Sequence, residues 1–167
     1  MPSYRITPLR EHQLTGLVAL EQLAKAPYAA IDAGIVARDL PSIVALPKLH
    51  NVLVAEDPSE ALFGWAAWRD ESPGVAYIEE LSVHPDKQRT GVARYLLDMI
   101  RNEARALRLP NLVTRASTKA PWVAPFLARV GFKAIDDAAP ERARAWKQEQ
   151  IAAGAPRQGL SAFWAAV

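Results

Sequence analysis

The segment with the clearest chemical signal is residues 81–93, where a hydrophobic strand ends, a short loop follows and a helical pattern begins. The first N–H groups of a helix have no intrahelical partner, and the helix dipole adds positive potential at that end. Gly91 lets the backbone approach a ligand closely, and the small Ala93 keeps the start of the helix open. Lys87 and Arg89 add positive charge. The segment therefore predicts a site for an anion such as a phosphate group.

Two adjacent carboxylates precede this segment on the same predicted strand. Side chains alternate along a strand, so Glu79 and Glu80 should point to opposite faces. Glu79 shares its face with Leu81 and Val83, which lie next to the predicted anion site. Either carboxylate could accept a proton as a general base. The alternative is that both are solvated or ion-paired residues of the strand.

Composition limits the chemistry. The 167 residues carry a net charge of +2 and contain no cysteine, which excludes disulfides, thiolate metal sites and a cysteine nucleophile. His12, His50 and His84 lack the spacing of metal ligands, so we expect no metal. Basic residues are spread along the chain and no apolar run reaches about 18 residues, so neither nucleic acid nor a membrane is an expected partner. The N-terminus lacks the apolar core of a signal peptide, and a cytoplasmic protein is expected.

The elements that must position these residues alternate between strand and helix patterns. In the first half, strands are predicted at residues 3–8, 51–56, 62–69 and 75–83. Helices are predicted at residues 11–26, ended by Pro27, and at residues 32–40, ended before Pro41. In the second half, helices are predicted at 91–107, 121–130 and 140–153, and strands at 112–116, 132–135 and 160–167. The order indicates an α/β fold with a mixed sheet in a single domain, residues 1–167.

The 81–93 segment resembles the acyl-CoA signature of the GNAT superfamily of acetyl-CoA-dependent N-acetyltransferases. That signature reads Gln/Arg-x-x-Gly-x-Gly/Ala after a strand ending in Val-x-Pro, and the chain has Val83-His84-Pro85 and then Gln88-Arg89-Thr90-Gly91-Val92-Ala93. Residues 122–132, which end in Gly131-Phe132, are similar to the family's second CoA-side helix. The resemblance covers residues 3–136, most specifically 77–132. It implies a GNAT-like, mostly antiparallel sheet of about six or seven strands flanked by helices.

The resemblance also implies how coenzyme A is held. The backbone N–H groups of Gln88, Arg89, Thr90, Gly91, Val92 and Ala93 would bind the pyrophosphate. The pantetheine arm would pair with the end of the strand, at Leu81, Ser82 and Val83. The N–H of Val83 would then polarise the thioester carbonyl in the manner of an oxyanion hole. The expected cosubstrate is therefore acetyl-CoA.

The same resemblance favours Glu79 as the general base, with Glu80 as the second candidate, because family members often carry a carboxylate near this point. Many members also place a tyrosine four residues before the Gly-Phe pair to protonate the departing thiolate, and the chain has Leu127 there. Val123 stands where related sequences often have a CoA-contacting asparagine. We considered Tyr77 and Tyr95 as substitutes for the tyrosine, although both are expected to be packing residues.

The acceptor is expected to be the primary amine of a small molecule or a peptide, attacking acetyl-CoA directly in a ternary complex. By the resemblance it enters between the first two helices and the last hairpin. Tyr28 and Asp32 are the polar candidates on the first side, and the aromatic candidates on the other are Trp146, Phe163 and Trp164. The charged stretch 140–154 could cover that site, form a homodimer surface or close the sheet edge.

Two other functions remain open from the sequence. Leu127 and Val123 favour a non-catalytic acyl-CoA-binding or sensing module. A transferase that uses a longer acyl-CoA is the third interpretation. The sequence names no particular acceptor, because a shared fold and cosubstrate do not fix the substrate.

Overall fold

The computed structural model describes residues 4–31, 33–154 and 159–167. In chain order its helices and strands are β1 (Arg5–Pro8), α1 (Leu14–Ala29), α2 (Leu40–Ala45), β2 (Asn51–Glu56), β3 (Leu62–Glu71), β4 (Val75–Val83), α3 (Val92–Ala106), β5 (Asn111–Ser117), α4 (Val123–Arg129), β6 (Lys133–Ala134), α5 (Glu141–Ala152) and β7 (Leu160–Ala166). Short 3-10 turns cover Glu11–Gln13, Leu46–Lys48 and Pro85–Lys87. None of the helices in the described part of the chain is long and apolar enough to cross a membrane.

The seven strands form one sheet in the order β1-β2-β3-β4-β5-β7-β6. The pairs β1–β2, β2–β3, β5–β7 and β6–β7 are antiparallel, and β4–β5 is parallel. The parallel pair joins Ala76–Ile78 of β4 to Leu112–Thr114 of β5. This topology confirms the predicted mixed, mostly antiparallel α/β sheet.

Backbone contacts group the chain into two compact units. The first comprises residues 1–69 and 79–100, and the second comprises residues 70–78 and 101–167. In the first unit, Leu17 and Leu20 of α1 pack with Ile43 of α2 against Val54 and Trp65 of the sheet. Both predicted carboxylates and the whole 88–93 turn belong to this unit. The first apolar core therefore lies in the same unit as the two candidate bases and the predicted anion site.

The second unit has its own core, built around Tyr77, Val113 and Trp146. The predicted helix 140–153 is present as α5, and its Ala143 and Trp146 are fully buried in that core. These two residues, one turn apart, anchor an otherwise polar helix to the core. The Trp146 ring lies 5.5 Å from the Tyr77 ring, centroid to centroid, and Trp146 is therefore a core residue rather than an acceptor contact.

Two predictions of helix ends were wrong, and both involve proline. The first helix does not stop at Pro27, because α1 continues to Ala29 with the proline inside its last turns. The bond that proline cannot donate would go to the carbonyl of Leu23, a residue that is 47% exposed, so water can take its place. The second helix does not occupy residues 33–39; it begins at Leu40 and continues to Ala45. Asp39 caps it by accepting from the Ser42 N–H (3.0 Å), so Pro41 lies in the first turn, where its fixed φ favours a helix start.

Candidate functional site

The 88–93 turn lies between β4 and α3, and two of its residues have unusual backbone angles. Arg89 and Gly91 both have positive φ, at 63° and 92°, a region that glycine enters without strain. Residues 88–91 are exposed, and Val92, the first residue of the 15-residue helix α3, is buried. Thr90 braces the turn by donating from Oγ1 to the Lys87 carbonyl (2.6 Å). The predicted arrangement of strand, loop, glycine and helix start is thus present.

Aromatic side chains support this turn. Lys87 Nζ lies 4.5 Å from the centroid of the Phe63 ring, in cation–π contact. Tyr4 makes edge-to-face contacts with Phe63 and with Tyr95, at centroid distances of 6.1 and 6.0 Å. An added Cβ at Gly91 would lie 3.8 Å from the Tyr4 hydroxyl. Tyr95, one of the candidate acids, therefore packs on Tyr4.

The two carboxylates of strand β4 differ in how much of their surface is exposed. Glu80 and Ser82 are buried, whereas Glu79, Leu81 and Val83 are half-buried, which matches the predicted alternation. The Glu79 side chain keeps 26% of its surface exposed and that of Glu80 only 7%. The two carboxylates nevertheless meet at one cation, because Arg38 contacts both.

Glu80 accepts hydrogen bonds from four donors. Its Oε1 accepts from Lys25 Nζ (2.6 Å), from the Ser82 hydroxyl (2.8 Å) and from the Leu81 N–H (3.1 Å). Its Oε2 accepts from Arg38 Nη1 (2.7 Å). Burial alone would raise the pKa of this carboxyl, but the charges of Lys25 and Arg38 outweigh burial and lower the pKa to about 2. A carboxylate held in this way is a poor proton acceptor at neutral pH.

A third carboxylate, Glu21 of α1, also contacts Arg38. We call this set of charged side chains the ion network; its members are Glu21, Lys25, Arg38, Glu79 and Glu80. Glu21 Oε1 accepts from Arg38 Nη1 (2.9 Å) and from the Arg38 backbone N–H (3.3 Å). Its Oε2 is buried and has no hydrogen-bond partner among the described residues. Burial, followed by repulsion from Glu80, raises the pKa of Glu21. The network thus moves the pKa values of two neighbouring carboxyls in opposite directions.

His50 lies beside Glu79, with its Nε2 4.0 Å from Glu79 Oε2. The same Nε2 is 3.1 Å from Arg69 Nη1, and Nδ1 is 3.3 Å from the Leu46 carbonyl. An arginine can only donate, so Nε2 accepts and Nδ1 carries the proton. Burial and then the Arg69 charge lower the pKa of His50, which keeps the ring neutral at pH 7.

Other residues selected from the sequence lie in different surroundings. Tyr28 is in α1, where its ring lies 5.6 Å from Lys25 Nζ. Asp32 lies outside the described residues. Leu127 is a buried residue of α4. Tyr77 is buried in the second unit and accepts from Arg115 Nε (3.0 Å), so it serves packing there.

Sequence reasoning missed most of the ion network. Glu21 falls on the same helix face as Leu17, and a charge within an apolar stripe is the signal that could have found it. Lys25 follows Glu21 by four residues, a spacing at which opposite charges meet on a helix. No local pattern identifies Arg38, which lies in a loop 41 positions before Glu79.

Comparison with known proteins identifies the family. A family model described as an acetyltransferase (GNAT) domain matches residues 48–134, which is just over half of the chain. The chain therefore belongs to the GNAT family, and it is an acyltransferase. The matched range contains β2, β3, β4, the 88–93 turn and α3.

Solved structures share the whole fold at low sequence identity. A GNAT-family acetyltransferase from Staphylococcus aureus Mu50 matches with a TM-score of 0.74 at 11% identity, over 98% of each chain. The PaiA N-acetyltransferase from Thermoplasma acidophilum, in complex with coenzyme A, matches with a TM-score of 0.72 at 15% identity, over 99% of this chain and 100% of that one. N-acetylglutamate synthase from Neisseria gonorrhoeae, complexed with coenzyme A and N-acetyl-glutamate, matches with a TM-score of 0.72 at 18% identity, over 99% of this chain and 35% of that one.

Proposed function

We propose that the chain transfers an acetyl group from acetyl-CoA to the primary amine of a small molecule or peptide, by direct attack in a ternary complex. The observation that carries this proposal is the contrast on β4: Glu79 is partly exposed, while its neighbour Glu80 is buried and bonded to four donors. A transferase of this kind needs one carboxylate that can still take a proton. Glu79 meets that requirement better than Glu80.

The 88–93 turn is the proposed site for the pyrophosphate of coenzyme A. Residues 88–91 of the turn are exposed, and at Gly91 the absence of a side chain leaves the backbone accessible. The N–H of Gln88 is 3.3 Å from the Pro85 carbonyl, so we assign the phosphate contacts to the N–H groups of residues 89–93 and to the Gln88 side chain. The pantetheine arm is assigned to the backbone of Leu81, Ser82 and Val83, which follow the residues of β4 that pair with β5, Ala76–Ile78.

Glu79 is the proposed general base. Bound acetyl-CoA supplies an activated acyl carbon, and the attacking amine must lose a proton as the new C–N bond forms and the C–S bond breaks. The carboxylate of Glu79 would take that proton. Neutral His50 and Arg38 border the carboxylate and exclude bulk water from part of its surface. Much of the rate would come from holding both reactants together, because binding makes the step effectively unimolecular.

The proposal assigns no side chain to protonate the departing thiolate. Leu127 occupies the tyrosine position and is buried, the Tyr77 hydroxyl accepts from Arg115, and Tyr95, which is 45% exposed, lies with its ring edge-to-face against Tyr4. A thiolate is a tolerable leaving group at neutral pH, where it can take a proton from water. Amine acceptors are supported by the neighbours, which include the N-acetylglutamate synthase and a ribosomal-protein-S18-alanine N-acetyltransferase from Escherichia coli. Tyr28 and Asp32 remain the proposed acceptor contacts.

The test combines turnover with binding. Wild-type protein is assayed for CoA release from acetyl-CoA with polyamines, amino acids, aminoglycosides and peptide N-termini. We expect turnover with at least one acceptor, and we expect Glu79→Gln to lower kcat by about 10²–10⁴-fold, the usual contribution of a general base. CoA affinity, measured by calorimetry, should stay unchanged.

Glu11→Gln is the matched control, because Glu11 is an exposed glutamate of the first 3-10 turn. This variant should keep wild-type kcat. A wild-type protein that binds CoA but turns over no acceptor would contradict the proposal, as would a Glu79→Gln variant that keeps full activity.

A further inference from the structure

We propose that Arg38 is a positioning residue that sets the orientation of the Glu79 carboxylate, and that Glu21 and Glu80 act on catalysis through Arg38. The inference rests on the proposed role of Glu79 as the base. Its starting observation is that one guanidinium contacts three carboxylates from two different elements, α1 and β4.

The guanidinium of Arg38 is held in place by contacts with residues other than Glu79. Nη1 donates to Glu80 Oε2 at 2.7 Å and to Glu21 Oε1 at 2.9 Å. Both of those carboxylates are buried, and the Arg38 backbone N–H also donates to Glu21 (3.3 Å). A guanidinium is planar and its N–H groups form a rigid fork, so fixing Nη1 also fixes the direction of Nη2.

The remaining nitrogen is the one that meets the proposed base. Nη2 donates to Glu79 Oε1 at 3.3 Å, while Glu79 Oε2 lies 4.0 Å from His50 Nε2. Of these two neighbours only Arg38 donates to Glu79, because His50 Nε2 is itself an acceptor from Arg69. A side chain held by a fixed guanidinium spends less time in rotamers that turn its carboxylate away from an incoming amine.

The other partners of Arg38 strengthen this arrangement. Its guanidinium carbon lies 5.8 Å from the centroid of the fully buried Trp65 ring. Glu80 is itself held by Lys25 and Ser82, so the carboxylate that holds Arg38 does not rotate freely. Burial opposes the charge on Arg38, but the neighbouring Glu80 and Glu21 raise its pKa, and it stays cationic.

The substitution Arg38→Lys distinguishes two possible roles of Arg38: orienting the Glu79 carboxylate, or only neutralising the charge of the buried carboxylates. Lysine keeps the positive charge but has no planar fork, so it cannot bridge three carboxylates with fixed directions. If Arg38 only neutralised the buried carboxylates, Arg38→Lys would keep kcat. If Arg38 positions Glu79, Arg38→Lys should lower kcat by about 100-fold, the scale of a misplaced catalytic group, with the KM for acetyl-CoA within about twofold of wild type.

Arg10 provides the matched control, because it bridges a different pair of carboxylates in the same unit. Its Nη2 lies 2.5 Å from Oε2 of the buried Glu56 and 3.1 Å from Glu60 Oε1. Arg10→Lys should therefore perturb a comparable ion cluster without changing the orientation of Glu79. Its kcat should match that of wild type.

The second readout does not depend on turnover. Three-bond NMR couplings across χ1 of Glu79, identified by signals lost in Glu79→Gln, report how many rotamers the side chain samples. We expect one rotamer in wild type and in Arg10→Lys, and rotamer averaging in Arg38→Lys. An Arg38→Lys protein with a single wild-type rotamer at Glu79 would overturn the inference, as would one with unchanged kcat. If wild type acetylates nothing, the proposed function fails, and the couplings alone decide the role of Arg38.

Discussion

Replacing Glu80 and Glu21 separately with glutamine tests the electrostatics of the ion network, because the two carboxyls have pKa shifts of opposite sign. Glutamine has the shape of the protonated acid, so each substitution approximates neutralising one residue. The pKa of Glu80 falls from its ordinary 4.5 to about 2, because Lys25 and Arg38 outweigh burial. Each pH unit of pKa difference is worth about 1.36 kcal/mol, so ionised Glu80 contributes about 3 kcal/mol of folding free energy at pH 7.

Glu80→Gln should therefore lower the free energy of unfolding by about 3 kcal/mol at pH 7, which corresponds to a Tm about 6–12 °C lower for a chain of this size. Because the folded pKa lies below the unfolded value, the contribution of Glu80 is complete above pH 4.5 and is lost as pH falls towards about 2. The difference between wild type and Glu80→Gln should shrink over that same window. Urea unfolding followed by circular dichroism from pH 7 to pH 3 measures it.

Glu21→Gln should behave differently although it removes a carboxylate from the same arginine. Burial is the largest cause of the raised pKa of Glu21, so its ionised form is less favourable in the folded protein than in the unfolded chain. At pH 7 neutralising Glu21 should cost clearly less stability than neutralising Glu80, or should increase stability. A Glu21→Gln protein that loses as much stability as Glu80→Gln would refute the reasoning, because burial would then not govern Glu21.

Two glycines give further predictions on packing and on the turn. Gly64→Ala should lower the free energy of unfolding, measured in urea, by about 1–3 kcal/mol, because the new Cβ would lie 2.9 Å from both the Ser82 carbonyl oxygen and Val92 Cγ1. Gly16→Ala in helix α1 is the control: the nearest atom is 3.4 Å away, so this variant should be neutral or stabilising. Equal effects of the two substitutions would contradict the predicted clash at Gly64. Gly91→Ala should strain a φ of 92° by about 1–2 kcal/mol and weaken CoA binding in calorimetry. Gly154→Ala, at φ 81° with open space around it, should carry a similar strain and leave CoA affinity unchanged; equal affinity in the two variants would count against the 88–93 turn as the phosphate site.

The parts of the fold that were predictable are those in which local chemistry decides the structure. Strands β2 and β4 begin and end at the predicted residues: Asp57-Pro58-Ser59 follows β2, and β4 lies between Ser72-Pro73-Gly74 and Pro85. The start of α2 was not predictable from Pro41, because a proline can end a helix or occupy its first turn. Only the capping bond from Ser42 to Asp39 distinguishes the two, and Asp39 was not recognised as a cap.

The site was predictable where it is local and not where it depends on tertiary contacts. The 88–93 turn is a continuous run of residues, so the residue types that form it and their spacing are visible in the sequence itself. Arg38 meets Glu79 and Glu80 through tertiary contacts, and no sequence period links a loop arginine to a strand 41 positions away. The alternation of β4 predicted that the two glutamates differ in burial, but it could not predict that one cation contacts both.

Glu79 and Glu80 show how one strand can give identical neighbours different chemistry. Alternation places Glu80 on the buried side, where an isolated carboxylate would be protonated, so the fold must supply cations to keep it ionised. Lys25 and Arg38 do so, and the result is an ionised carboxylate with a lowered pKa that anchors an arginine. Glu79 stays half-buried at the edge of that arrangement and keeps contact with solvent. The buried ion pairs thus keep Glu80 ionised and bring Arg38 into contact with Glu79, the carboxylate that we propose as the base.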